Sequence, residues 1–413
     1  MTFNKTYPNG LRLVIEKMDG LFSVSTGVLV RTGSINETEQ ENGISHFIEH
    51  CIFKGTEKRS AFEISDYIDR IGASINAFTS KEITCYYTKS TTEHAGETLE
   101  VLSDIFFNST FSQEEINKEK GVIIEEINMS EDSPEDTLFD LLATSSFGDE
   151  GLGKTILGPS ANIKRFTKKD IDAYMDKYYT ADNVVISVAG NVDVEKTQEL
   201  VETLFVNKFT RIKSKAQFTK STIKPGKIHK YKPIEQCHVG ISFPAFNIQD
   251  ERSEALSIAS VILGGGMSSR LFQTIREEMG LAYSVYSYIS SYNTQGVLEI
   301  YAGVNPESRD LAVSKIIEEV NKFKKDGIIE QDFLRGREQI KSSFIMGRES
   351  TATQMLLFGK YMLYFNKQFS IEEKLNKFYS LTKKDVESAI IECFDFSKMA
   401  TATVGPKKSA LKI

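Results

Sequence analysis

The chain has 413 residues, a formal net charge of −7, and 40% hydrophobic and 26% charged residues, which makes it too long for one comfortable core and too well mixed for a disordered or fibrous protein. It has no run of about 18 apolar residues, which excludes a spanning helix, and its negative charge argues against nucleic acid as the main partner. Residues 1–8 lack an apolar signal core, and Cys51, Cys85, Cys237 and Cys393 form no close-spaced pair, so the chain reads as a cytoplasmic protein with reduced thiols and no membrane partner.

In chain order, Leu11–Glu16 and Ser23–Arg31 read as strands. Ile44, Phe47, Ile48, Cys51 and Ile52 then recur at i, i+3, i+4, i+7 and i+8, predicting an amphipathic helix. At about 100° per residue His46, Glu49 and His50 fall on its polar face, away from the core. Two imidazoles four residues apart on one helical face can hold a metal, and the carboxylate between them is placed to act as a general base. The order His-x-x-Glu-His inverts the commoner zinc motif, and the segment reads as a zinc hydrolase site. Cys51 lies on the apolar stripe and is not counted as a ligand.

A helix over Ala61–Ile71, strands at 76–80 and Ile83–Lys89, and a helix over Glu93–Phe107 follow. Ser112-Gln113-Glu114-Glu115 fits a capping box opening a helix that runs to about Asn128. A catalytic zinc takes three protein ligands, and this helix is the best source of the third. Glu119 and Glu126, seven residues apart, share one face, bordered by Ile116, Ile123 and Ile127 on one side and Val122 and Met129 on the other, which places both carboxylates inward. Glu125 points toward the side carrying Glu114, Lys118 and Gly121 and ranks below Glu126 as a ligand. Glu119 suits the role of orienting a ligand imidazole through its free N–H. Glu131, Asp132, Glu135, Asp136 and Asp140 read as a solvated loop and helix start, with attraction of cationic side chains as the alternative.

A helix over Lys168–Tyr179 and a strand over Val184–Ala189 complete this half, and an internal duplication marks the next. Thr167-Lys168-Lys169-Asp170 recurs as Thr382-Lys383-Lys384-Asp385, an offset of 215 residues that also relates Gly190 to Gly405. The lysine-rich stretch from Thr210 to Pro233 reads as a connection. The expected organisation is α+β: a zinc-binding catalytic domain over 1–212, a linker over 213–230, and a homologous domain over 231–413, each a largely antiparallel sheet packed with helices on one face. The second half has no zinc triad, since Val261 stands at the position matching His46. It carries Leu263-Gly264-Gly265-Gly266-Met267, which breaks a helix, and then Arg276 in the last turn of a helix closed by Gly280, with Tyr283 on the next strand. Read from the residues alone, these two are a C-terminal cation and a buried aromatic.

His46–His50, the following Phe53-Lys54-Gly55-Thr56, and Glu119/Glu126 within Glu-Lys-Gly-Val-Ile-Ile-Glu-Glu resemble the pitrilysin-type zinc peptidase family, which includes mitochondrial processing peptidase and insulin-degrading enzyme, over nearly the whole chain. In that family the third ligand lies 76 residues beyond the second histidine, the position of Glu126. The resemblance implies one zinc per chain and a substrate-binding edge strand at Asn76-Ala77-Phe78, able to take a peptide as an added strand. It also implies an Arg276/Tyr283 pair that grips substrate and helps stabilise the oxyanion. The glycines at 264–266 resemble a short form of the loop with which the family's non-catalytic processing subunit contacts substrate, with a plain helix-to-helix turn as the alternative. Because the family's site joins two halves of a clamshell, each of two domains, and this chain supplies one half carrying both features, the resemblance further implies a homodimer with sites shared across subunits.

The expected function is therefore a zinc-dependent endopeptidase acting on extended peptides or unfolded segments in an enclosed chamber. His46, His50 and Glu126 hold the metal, Glu49 is the general base, and Glu119 supports it. The alternative is a catalytically silent scaffold of the same fold.

Overall fold

The computed structural model describes residues 2–211, 213, 221–409 and 411. Residues 214–220 of the expected linker lie outside the described residues, and its last four positions already belong to a strand. The described chain folds as two compact units, each built on one sheet.

The first unit takes the described residues within Met1–Ile127, Thr155–Thr219 and Met346–Phe369. Its strands are β1 (Thr2–Thr6), β2 (Arg12–Lys17), β3 (Ser23–Val30), β4 (Ser74–Thr79), β5 (Thr84–Thr91) and β6 (Val184–Gly190), in the order β1-β2-β6-β3-β5-β4. Only β2 and β6 run parallel; the other neighbours are antiparallel. β6, apolar but for Ser187, lies in the middle of the sheet, where every one of its residues is buried. Val24, Val28 and Val30 of β3 and Val184, Ile186 and Val188 of β6 face one core. Into that core pack α1 (Ile44–Cys51), α2 (Ala61–Arg70), α3 (Ala95–Asn108) and the first part of α4 (Gln113–Asp132).

The second unit takes the described residues within Asn128–Lys154, Lys220–Ile345 and Ser370–Ile413. Its strands are β7 (Lys227–Tyr231), β8 (Cys237–Ala245), β9 (Ala282–Ser291), β10 (Gly296–Val304) and β11 (Ala400–Gly405), ordered β7-β11-β8-β10-β9. The parallel pair β7/β11, followed by antiparallel β8, β10 and β9, repeats the pattern β2/β6, β3, β5, β4 of the first unit. Thr167 and Thr382, the repeated tetrapeptides, both cap helices with capping boxes to Asp170 and Asp385.

The units differ from the two contiguous halves that the sequence suggests, because each recruits one helix from the opposite half. The Thr351–Phe365 helix lies on the face of the first sheet opposite the main core: Thr351 Oγ1 is 2.9 Å from Ser25 Oγ, and Ser187 Oγ donates to the Met355 carbonyl at 2.7 Å. Glycine permits the close approach, since a Cβ on Gly359 would stand 2.8 Å from Leu29 and 2.9 Å from Ser187. In the second unit α5 (Pro134–Phe147) does the same, placing Leu138 and Leu142 against Tyr301, Ala402 and Val404, where a Cβ on Gly240 would meet Leu142 at 2.9 Å. Each sheet thus has apolar surface on both faces, and burial of that second face, at about 25 cal/mol per Å², fixes the exchange. The expectation of helices on a single face misses these two.

Candidate metal centre

Helix α1 is anchored at its N-terminus by a buried carboxylate. Glu37 accepts from the Gly43 amide at 2.8 Å, the Ser45 amide at 2.9 Å and the Asn42 side chain at 2.9 Å, satisfying amides that the first helical turn leaves unpaired. Burial raises its pKa against the pull of those donors. Gly43 caps the helix at φ +98°, a left-handed conformation suited to glycine. Glu37 passed unnoticed in the sequence because its contacts span a non-helical turn with no fixed spacing.

The apolar stripe of α1 packs as expected, but the opposite face is not a solvent face. His46 is only 7% exposed, and Glu126 of α4 reaches its ring. The imidazoles of His46 and His50 meet edge to face at 4.6 Å between centroids. The Nε2 atoms of His46 and His50 lie 3.6 and 3.2 Å from the same oxygen of Glu126, Oε2, and ligand atoms of the three residues all lie within 4.8 Å of one another. Zinc bonds of about 2.0–2.1 Å at tetrahedral angles separate donors by about 3.3 Å, so this two-nitrogen, one-oxygen set fits one zinc ion. Glu125 is exposed and outside the cluster.

Burial, with a smaller contribution from His50, pulls the His46 pKa down to about 3, keeping the ring in the neutral form that ligation requires. Burial also lowers that of His50, but Glu119, Glu126 and Glu49 outweigh it and raise the net value. Glu119 is buried in α4, with Oε2 3.3 Å from His50 Nδ1 and Oε1 2.9 Å from Lys54 Nζ. Burial pushes its pKa up, and the His50 and Lys54 contacts bring it below the ordinary value. Lys54 belongs to the Phe-Lys-Gly-Thr segment, whose spacing gave no hint of its partner. The expected apolar border of α4 holds on one side only: Ile116, Ile123 and Ile127 are buried, whereas Val122 and Met129 are exposed and the Glu126 side chain is 37% exposed.

Glu49 accepts a hydrogen bond of 2.5 Å from Thr79 Oγ1. Burial raises its pKa, with the Thr79 hydroxyl and His50 pulling the other way. Thr79 ends β4, which carries Asn76, Ala77 and Phe78 and forms an edge of the sheet. Asn76 Oδ1 accepts from the Ala77 amide at 2.8 Å, and Lys360 Nζ sits 5.5 Å over the Phe78 ring.

In the second unit, Arg276 lies in the π-helical turn Phe272–Glu278, whose end is closed by Gly280 at φ +61°. Its guanidinium stacks over Tyr283 at 5.1 Å. Tyr283 is 77% exposed on edge strand β9, not a buried aromatic. Gly264 ends a helix where a Cβ would stand 2.4 Å from the Ser287 amide, so this glycine serves close packing, while Gly265 and Gly266 are exposed. Within the acidic cluster, Glu135 accepts from Tyr286 at 2.7 Å.

Residues 12–160 match the family description "Insulinase (Peptidase family M16)", and residues 165–340 match "Peptidase M16 inactive domain". The chain is 41% identical to the uncharacterized zinc protease YmxG of Bacillus subtilis, over 97% of each chain. It is 35% identical to the uncharacterized zinc protease SCO5738 of Streptomyces coelicolor, over 98% of this chain and 89% of that one. A crystal structure of a protease from Helicobacter pylori superposes with a TM-score of 0.91 at 24% identity, covering 98% and 99% of the two chains, and shares the fold. With sequence relatives matched nearly end to end and an inverted His-x-x-Glu-His helix in the first unit, the chain belongs to peptidase family M16, the pitrilysin-type zinc peptidases.

Proposed function

We propose that the chain is a zinc-dependent endopeptidase that hydrolyses extended peptides or unfolded segments. The observation that carries this reading is the convergence of His46, His50 and Glu126 on one point beside Glu49, on a helix packed against edge strand β4. His46, His50 and Glu126 would hold a zinc ion, which would supply Lewis acidity toward water and a substrate carbonyl. Glu49 takes the proton of the attacking water and returns it to the leaving amine. Glu119, backed by Lys54, holds the His50 ring through Nδ1 so that Nε2 faces the ligand point. The open edge of β4 at Asn76–Phe78 binds the peptide through main-chain hydrogen bonds, which read extension and not side-chain identity.

We further propose a homodimer with one zinc per chain, in which Arg276 and Tyr283 of a second copy grip the substrate backbone in an enclosed chamber. The outward presentation of Tyr283 with Arg276 stacked on it supports this. The four cysteines are free and buried, which supports residence in the reducing cytoplasm. The test is cleavage of an unstructured peptide by the zinc-loaded chain. Activity abolished by chelation and by Glu49→Gln supports a peptidase. Full zinc content with no cleavage of a mixed peptide library supports the silent scaffold.

A further inference from the structure

Among the described residues, Thr79 is the one that belongs at once to the open edge of the sheet and to the hydrogen-bond shell of Glu49. Side chains alternate along β4, so Ile75, Ala77 and Thr79 share a face. Ile75 and Ala77 pack against the main core on that face, the side on which Thr79 Oγ1 reaches Glu49 Oε2 at 2.5 Å. The backbone alternates too. The Ser80 amide donates to the Ile83 carbonyl across the turn into β5 at 2.8 Å, so the amides of Phe78 and Asn76 face β5, whereas those of Thr79 and Ala77 face the open edge. The hydroxyl of Thr84, the neighbour 3.5 Å away across the strand pair, donates to the Thr32 carbonyl at 3.1 Å. The single proton of Thr79 is thus left for Glu49. A β-branched side chain has a stiff χ1, and its hydroxyl direction follows the strand backbone closely.

We propose that Thr79 is a positioning residue that couples occupancy of the β4 edge to the aim of the Glu49 carboxylate. A peptide added along the edge pairs with the main chain of Thr79 and stiffens the strand end that carries the hydroxyl, and the hydroxyl in turn fixes the base. A substrate that pairs in register therefore completes the catalytic geometry as it docks. A ligand that reaches the metal without pairing along β4 leaves the base less well aimed. The inference rests on the reading of β4 as the peptide dock and Glu49 as the base.

The experiment compares the zinc-loaded full chain with Thr79→Val and Thr79→Ser. Zinc content, melting temperature, kcat and KM on a quenched fluorescent peptide, and the crystallographic position of Glu49 are measured for each. Misaiming a reacting group by about 1 Å costs on the order of a hundredfold, so Thr79→Val should lower kcat by about ten- to a hundredfold, with KM within about twofold and zinc content unchanged. Thr79→Ser should restore kcat to within about threefold of the parent, and Glu49 in Thr79→Val should shift by about 1 Å or spread over two rotamers. A kcat within twofold of the parent, a loss of zinc in step with activity, or an unmoved Glu49 overturns the proposal. If Thr79→Val does not fold, Thr79→Ala carries the same comparison. A parent chain that binds zinc and cleaves nothing refutes the peptidase reading instead, and the position of Glu49 in the variant still decides whether Thr79 holds it.

Discussion

The Nδ1 atom of His50 lies 3.3 Å from Glu119 Oε2, while its Nε2 lies 3.2 Å from Glu126. The ring is therefore held between two carboxylates on one face of α4, one suited to orient it and the other to join it around a metal ion, should one bind. Replacing Glu119 by Ala removes the orienting partner and leaves Lys54 unpaired. Zinc affinity, measured by competition with a chromophoric chelator, should fall about 10- to 100-fold, with a smaller loss for Lys54→Met.

Glu49 is not a member of the ligand cluster. Glu49→Gln should keep zinc at the parental stoichiometry by elemental analysis and lower kcat by about 10²- to 10⁴-fold, the range for a general acid–base group. Near-parental turnover would remove Glu49 from the role of base.

Metal binding should also stabilise the first unit, since the unfolded chain cannot assemble His46, His50 and Glu126. At free zinc of about a hundred times Kd the stabilisation is about 2.7 kcal/mol. Chelation should lower the melting temperature of the parent by several degrees and leave that of His46→Ala/His50→Ala unchanged. Equal shifts in both would assign the effect to another site.

Asp104 ties α3 to the loop that follows α1. It is 1% exposed and accepts from Asn108, Thr56 and Arg59 at 2.8, 2.9 and 2.7 Å. Burial pushes its pKa up, but those hydrogen bonds and the Arg59 charge bring it below the usual Asp value. With the folded pKa below the unfolded one, this contribution is complete above about pH 4 and fades as the pH falls through the folded value. Asp104→Asn should lower stability at pH 7 by about 2 kcal/mol and flatten the acid limb of the melting-temperature profile. An unchanged acid limb would show that Asp104 does not shape it.

Gly359 lets the Thr351–Phe365 helix lie against β3 and β6. Gly359→Val should destabilise the first unit by about 1–3 kcal/mol through overpacking against Leu29 and Ser187, an effect larger than the helix-propensity gain of a few tenths. Denaturant melts read this directly, and an unchanged midpoint would show that the helix can shift to make room.

Local periodicity made much of this protein legible. The helical spacing of Ile44, Phe47, Ile48, Cys51 and Ile52 places α1, and the expected strands Leu11–Glu16, Ser23–Arg31, Ile83–Lys89 and Val184–Ala189 lie within a residue or two of β2, β3, β5 and β6. Spacings of four and seven residues also bring His46 and His50, and Glu119 and Glu126, to common faces, because the α-helix has a fixed pitch. Burial was less legible. The polar face of α1 meets Glu119 and Glu126 of α4 and Thr79 of β4, and the expected buried aromatic Tyr283 is exposed, because hydrophobicity alone does not say which neighbour covers a face.

Contacts formed across long sequence separations were decided by the tertiary structure alone. The grip of Thr79 on Glu49, the Lys54–Glu119 pair, and the exchange of α5 and the Thr351–Phe365 helix between the sheets leave no periodic trace. The sequence determined which residue types share a face within each element, a consequence of backbone geometry. Which faces meet was decided only when the apolar surfaces of whole sheets and helices were buried together.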